Sequence, residues 1–124
     1  MDNNTLLNYA RQAMQNAYAP YSNFPVGAAL LTKSGKIYTG ANVESVCGTS
    51  CCAERTALYK AVSEGEREFT AIAVVAALRD EIYPCGICRQ MLAEFSGDIR
   101  VIVSGEKEFT LGELLPHTFS KYAD

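Results

Sequence analysis

Thr70-Ala71-Ile72-Ala73-Val74-Val75-Ala76-Ala77-Leu78 decides the fold. The stretch carries no charge and lacks the apolar–polar alternation of a strand wetted on one face. It therefore predicts a central strand in a sheet covered by helices on both sides. Those helices flank it. Before it, Ala53, Ala57, Leu58, Ala61 and Val62 recur at helical spacing and stop near Gly65, so Cys52 stands at a helix start. After it, Cys88, Met91, Leu92 and Phe95 follow an i, i+3, i+4, i+7 pattern behind Pro84, whose fixed backbone angle is tolerated at a helix start, and Gly97 ends the pattern.

Further out, Leu6, Leu7, Ala10, Ala13, Met14 and Ala17 predict an amphipathic helix over residues 5–18, halted by Pro20. Residues 26–32 and 37–41 read as an antiparallel pair around Lys33-Ser34-Gly35-Lys36. Residues 99–103 and 108–110 are separated only by Ser104-Gly105-Glu106-Lys107. A parallel crossover takes a dozen or more residues, so these two strands are expected to be antiparallel. Thr110 and Glu113 form a capping-box pattern for a last short helix closed by Pro116. The expectation is one domain over residues 1–124. Its fold class is α/β, a three-layer α/β/α sandwich whose mixed sheet has about five strands, the last two antiparallel.

The chain has 124 residues, 48% hydrophobic and 20% charged, which suits one compact core. A formal net charge of -3, a pI near 5.2 and the lack of any Lys/Arg run give no footprint for a nucleic acid. A small neutral or polar ligand fits better. No apolar stretch reaches the roughly 18 residues of a membrane span. The Asn-rich start has no signal-peptide pattern, so a cytoplasmic location is expected. Five cysteines in a reducing compartment argue for metal or catalytic use rather than disulfides.

The cysteines are patterned. Cys52 precedes Glu54 by two residues, and Pro84-Cys85-Gly86-Ile87-Cys88 follows later, which is the zinc-deaminase spacing with Cys as first ligand. Zinc favours tetrahedral sites, and a catalytic one uses three protein ligands and leaves the fourth position for water. Cys52, Cys85 and Cys88 supply three, while the sole histidine, His117, lies far away in sequence. A fourth thiolate from Cys47 or Cys51 would instead make a closed structural site. Glu54 weighs against that, because a carboxylate beside the metal suits a general acid and base. Three thiolates on one divalent cation leave a negative charge that weakens the acidification of water. Two helix starts and Arg55 are positive enough to offset it.

These residues resemble the cytidine deaminase family in its small three-cysteine zinc form, over nearly the whole chain. Five stretches carry the resemblance: Ala19-Pro20-Tyr21-Ser22-Asn23-Phe24-Pro25-Val26-Gly27-Ala28-Ala29-Leu30, Gly40-Ala41-Asn42-Val43-Glu44, Cys52-Ala53-Glu54-Arg55-Thr56-Ala57, Pro84-Cys85-Gly86-Ile87-Cys88-Arg89-Gln90 and Leu114-Leu115-Pro116-His117-Thr118-Phe119. The resemblance implies one zinc ion per subunit on Cys52, Cys85 and Cys88. It implies hydroxide on that zinc attacking C4 of cytidine or deoxycytidine, with Glu54 as proton shuttle and Arg55 neutralising the thiolates, in pyrimidine salvage.

It further implies that Asn42 and Glu44 bond the ribose hydroxyls, that Phe24 and Ala53 contact the nucleoside, and that Phe119 reaches the active site of a neighbouring subunit in a homotetramer. The partner is then a free pyrimidine nucleoside rather than a nucleic acid or a membrane. Other readings of the same residues stay open: a strand-end polar pair for Asn42 and Glu44, a core aromatic for Phe24, and edge packing on its own domain for Phe119. The segment Ser45-Val46-Cys47-Gly48-Thr49-Ser50-Cys51 departs from the family, being about one residue short and lacking a customary Tyr. Cys47 and Cys51 read there as small buried hydrophobes rather than ligands. Rival functions are a deaminase for another amino-pyrimidine nucleoside, a polynucleotide editor, and a four-cysteine zinc module. The short link before Glu108 counts against the editor, because the editors resembled run those strands parallel.

Overall fold

A computed structural model describes residues 1–119. Its elements run α1 (Asn3–Met14), β1 (Val26–Thr32), β2 (Ile37–Ala41), α2 (Ala53–Ser63), β3 (Phe69–Ala76), α3 (Gly86–Ala93), β4 (Arg100–Ile102), β5 (Glu108–Thr110) and α4 (Leu111–Leu114). The five strands form one sheet in the order β2-β1-β3-β4-β5. The apolar stretch read first, β3, is the middle strand, antiparallel to β1 and parallel to β4. The β1–β2 and β4–β5 pairs are both antiparallel, as their short links require.

Alternation along β1 and β3 sorts the core into two layers. Ala28, Leu30, Ile72 and Val74 face α2 and join Ala53, Ala57, Leu58, Ala61 and Leu92. Ala29, Ala71 and Ala73 point the other way and meet Leu6, Leu7 and Ala10 of α1. Helices therefore cover both faces of a mixed sheet, which is why β3 needs no polar face. Leu6 and Leu7 are almost wholly buried, and each such side chain contributes about 1.5–3 kcal/mol by leaving water. Gly40 lets β2 approach α2 closely: a Cβ there would stand 2.5 Å from Ala57 N and 2.6 Å from Ala53 O.

Several boundaries differ by a residue or more from the sequence expectation, β3 for example running Phe69–Ala76 rather than 70–78, and two of them have a local hydrogen-bonding cause. Helix α1 stops at Met14 rather than residue 18. The Tyr18 N–H donates to Asn42 O at 2.9 Å, and Tyr18 O accepts from Glu44 N at 2.9 Å, so those groups are taken by strand pairing. Likewise β4 ends at Ile102, because Val103 N turns to donate to Lys107 O at 3.1 Å. The capping box of Thr110 and Glu113 forms as the pattern predicts. No described helix is long and apolar enough to cross a membrane.

Candidate metal centre and nucleoside site

Cys52 and Cys85 are the N-caps of α2 and α3, yet neither sulfur caps its own helix. They turn towards each other at 3.7 Å, and Cys85 Sγ lies 3.5 Å from Cys88 Sγ. All three sulfurs lie within 4.8 Å of one another. A tetrahedral zinc with Zn–S near 2.3 Å spaces its sulfurs about 3.8 Å apart, so the cluster has the size of a three-cysteine zinc site. The free N–H groups of two helix starts converge on it, adding positive potential.

Arg55 extends that potential. Its Nη2 lies 3.5 Å from Cys52 Sγ, and its buried Nε has no hydrogen-bond partner. An orphaned buried donor beside thiolates fits a site carrying more negative charge than three thiols alone supply. The sulfur of Cys88, and then the Arg55 guanidinium, hold the Cys52 thiol down to about 5 against the effect of burial. The negative sulfur of Cys52, and then burial, push the Cys88 thiol up, and the Arg55 guanidinium is raised chiefly by its bond to Cys52. The donor set, its spacing and its positive surroundings thus fit a zinc ion.

The remaining thiols stand apart. Cys47 is exposed, contrary to the expectation of a small buried hydrophobe. The polar run around it explains this: Cys47 Sγ pairs with Ser45 Oγ and Thr49 Oγ1, each at 3.0 Å, and those bonds hold its thiol down to about 7. Cys51 is half-buried and accepts from Thr56 Oγ1 at 3.5 Å. Neither Cys47, Cys51 nor the exposed His117 belongs to the metal cluster found among the described residues, so a fourth protein ligand is not in place.

Glu54 follows Cys52 by two residues and is only 4% exposed. Burial pushes its carboxyl up to about 7, and the negative Cys52 adds to the effect. A carboxyl balanced between its two protonation states near neutrality is what proton transfer in both directions requires. Ala53 between them is wholly buried.

Strand-like pairing brings the polar pair to the same region. Val43 exchanges backbone hydrogen bonds with Cys51 at 3.0 and 2.8 Å, which lays Asn42-Val43-Glu44 beside the approach to Cys52. Asn42 is a strut: its Oδ1 accepts from Val26 N and its Nδ2 donates to Phe24 O, both at 2.9 Å. Each atom keeps one further site for a ligand. Phe24 is half-buried and packs against the α2-side core. Glu44 accepts from Tyr21 N at 2.9 Å, Ser22 N at 3.1 Å and the Ser22 hydroxyl, and the bonds from Ser22 keep its carboxyl below the ordinary glutamate range. Glu44 borders a shallow, open depression of about 450 Å³ lined also by Tyr21, Ser22, Ser45 and Val46.

Phe119 is held by its backbone against α3 of its own chain while its residue surface is 78% exposed. Sequence reasoning quoted Arg89 and Gln90 in the cysteine motif but gave them no role. Arg89 Nε donates to Pro84 O at 2.7 Å and its Nη1 to Leu114 O at 2.8 Å, and Gln90 pairs with the backbone of Phe119. Their positions directly after the last ligand cysteine were the available signal.

Comparison with known proteins agrees with this geometry. Residues 1–105 match the family described as the cytidine and deoxycytidylate deaminase zinc-binding region. The chain is 49% identical over 127 aligned residues to a cytidine deaminase of Sporosarcina psychrophila, covering 98% of this chain and 93% of that protein. It superposes on the crystal structure of a cytidine deaminase from Burkholderia pseudomallei with a TM-score of 0.91 at 43% identity, covering 96% of this chain and all of the other. A blasticidin-S deaminase of Bacillus cereus is 32% identical, with 77% of each chain covered.

Proposed function

This chain belongs to the cytidine and deoxycytidylate deaminase zinc-binding family, and we propose that it hydrolyses the exocyclic amine of cytidine and deoxycytidine to give uridine, deoxyuridine and ammonia. The observation that carries the reading is the buried Glu54 carboxyl beside the Cys52–Cys85–Cys88 cluster. Zinc bound by those three thiolates supplies the Lewis acidity that makes a water nucleophilic near neutral pH. Glu54 would carry one proton from the attacking water to the ring nitrogen, and then a second from the hydroxyl so placed on C4 to the amine, which departs as ammonia when the C–N bond breaks. Arg55 and the two helix starts stabilise the thiolates and limit the charge they transfer to the metal.

Asn42 and Glu44 bond the ribose hydroxyls, the first through its remaining donor and acceptor, the second as an ionised acceptor. Leaving these groups unpaired is costly, so the free base is disfavoured. Phe24 and Ala53 contact the nucleoside. The whole chain acts as one deaminase domain, holding one zinc per subunit, in the cytoplasm. Exposure of Phe119 together with Ile87, Leu78 and Val46 supports an oligomer, and we assign a tetramer in which Phe119 stacks near the base bound by a neighbour.

A second reading is a deaminase for another amino-pyrimidine nucleoside, favoured by the similarity to the blasticidin-S deaminase. One panel separates them. Zinc-loaded protein is incubated with cytidine, deoxycytidine, cytosine, adenosine, blasticidin S and a single-stranded oligonucleotide while ammonia and zinc are measured. Release from cytidine and deoxycytidine is expected. Release only from blasticidin S supports the second reading, and release only from cytosine or the oligonucleotide rejects both.

A further inference from the structure

Gln90 grips one residue at two points: its Nε2 donates to Phe119 O at 2.8 Å and its Oε1 accepts from Phe119 N at 3.1 Å. A single hydrogen bond would leave the residue free to swivel, whereas a paired donor and acceptor hold the two peptide groups on either side of its Cα and hence the direction in which its side chain leaves the backbone. The residue so fixed is an aromatic one left 78% exposed, a costly arrangement for a ring that the described residues leave largely uncovered. Arg89 ties the same segment at Leu114 O and at the same time holds Pro84 O, at the start of the ligand loop. Directly after Cys88, helix α3 therefore carries two side chains that fasten the C-terminal segment to the metal loop's own helix.

We propose that Gln90 is a positioning residue that acts on a site other than its own: by clamping Phe119 of its own chain, it aims the ring delivered to the nucleoside site of an adjacent subunit. This inference rests on the shared-site reading of Phe119. Its partner is a second copy of this chain, and its effect falls on substrate binding rather than on zinc or on Glu54.

The test uses zinc-loaded mixed oligomers. Gln90→Ala, and Gln90→Met, which keeps the side-chain volume without an amide, are each compared with Phe119→Ala. All three are expected to raise KM for cytidine roughly fivefold, the scale of one aromatic contact, with kcat and zinc content little changed. Each is then co-expressed with Glu54→Gln under a second tag and the doubly tagged oligomers are isolated. Only the Glu54-bearing chains turn over, and their sites receive clamped Phe119 from the other chain, so KM is expected to return towards the parent value for all three. If Phe119→Ala is rescued by mixing and the Gln90 variants are not, Gln90 acts within its own subunit and the inference is overturned while the shared site stands. If Phe119→Ala has no effect or is not rescued, the shared-site reading fails and the inference falls with it.

Discussion

Ser22 holds Glu44 twice, through its backbone N–H at 3.1 Å and through its hydroxyl, and these are the leading causes of the lowered carboxyl pKa. A depressed pKa keeps Glu44 ionised as pH falls into the ordinary carboxylate range. Ser22→Ala removes one donor and lets the pKa climb back. KM for cytidine is therefore expected to rise roughly threefold at neutral pH and to begin its acid-side increase at a higher pH than in the parent. Steady-state kinetics across pH 4 to 8 check the direction of this shift; an unchanged onset would remove Ser22 from the account.

Arg55 lies against Cys52 Sγ with its buried Nε unpaired. Replacement by Gln deletes the full positive charge held against Cys52 Sγ and is expected to weaken zinc binding or turnover by about 10–100-fold, the usual scale for groups that support metal ligands. Zinc competition with a chelator and kcat per bound zinc, measured together, show where the loss falls. Loss of neither would mean that the helix starts suffice.

Glu54 gives the zinc-stripped protein a distinct pH signature. Its folded pKa, raised from 4.5 to about 7, exceeds the unfolded value, so its contribution is fully present below about 4.5 and is lost as pH rises through about 7. That gap corresponds to roughly 3 kcal/mol. Denaturation of the apo protein is expected to show this gain between pH 7 and 4.5 relative to Glu54→Gln, in which the titrating group is gone. Parallel pH profiles of the two proteins would contradict the burial-driven shift.

Gly40→Ala tests the link between sheet and site. Its new Cβ would meet Ala57 N and Ala53 O of α2, the helix that starts at Cys52, and backbone atoms have little room to retreat. A loss of about 1–3 kcal/mol of stability is expected, with a further drop in activity in the chains that still fold. Thermal denaturation and zinc content of the purified variant are the readouts.

Much of this was legible in the sequence where one signal dominated. The charge-free stretch around Val74 announced a doubly covered strand, the four-residue link before Glu108 required an antiparallel pair, and the spacing from Cys52 to Cys88 placed three sulfurs at two helix starts. What was hidden depends on tertiary partners. Tyr18 left the helical pattern because Asn42 and Glu44 offered it strand-like bonds. Cys47 stayed at the surface because neighbouring hydroxyls satisfied its sulfur. The role of Gln90 depends on Phe119, 29 residues away, which no local pattern reports.

The central claim is that Glu54 moves the protons of a zinc-assisted deamination. Glu54→Gln, loaded with zinc, is to be assayed for conversion of cytidine to uridine beside a metal count on the same sample. Zinc near one per chain with turnover reduced by about 10²–10⁴-fold is the result the account predicts. Near-parental turnover with zinc still bound would contradict it.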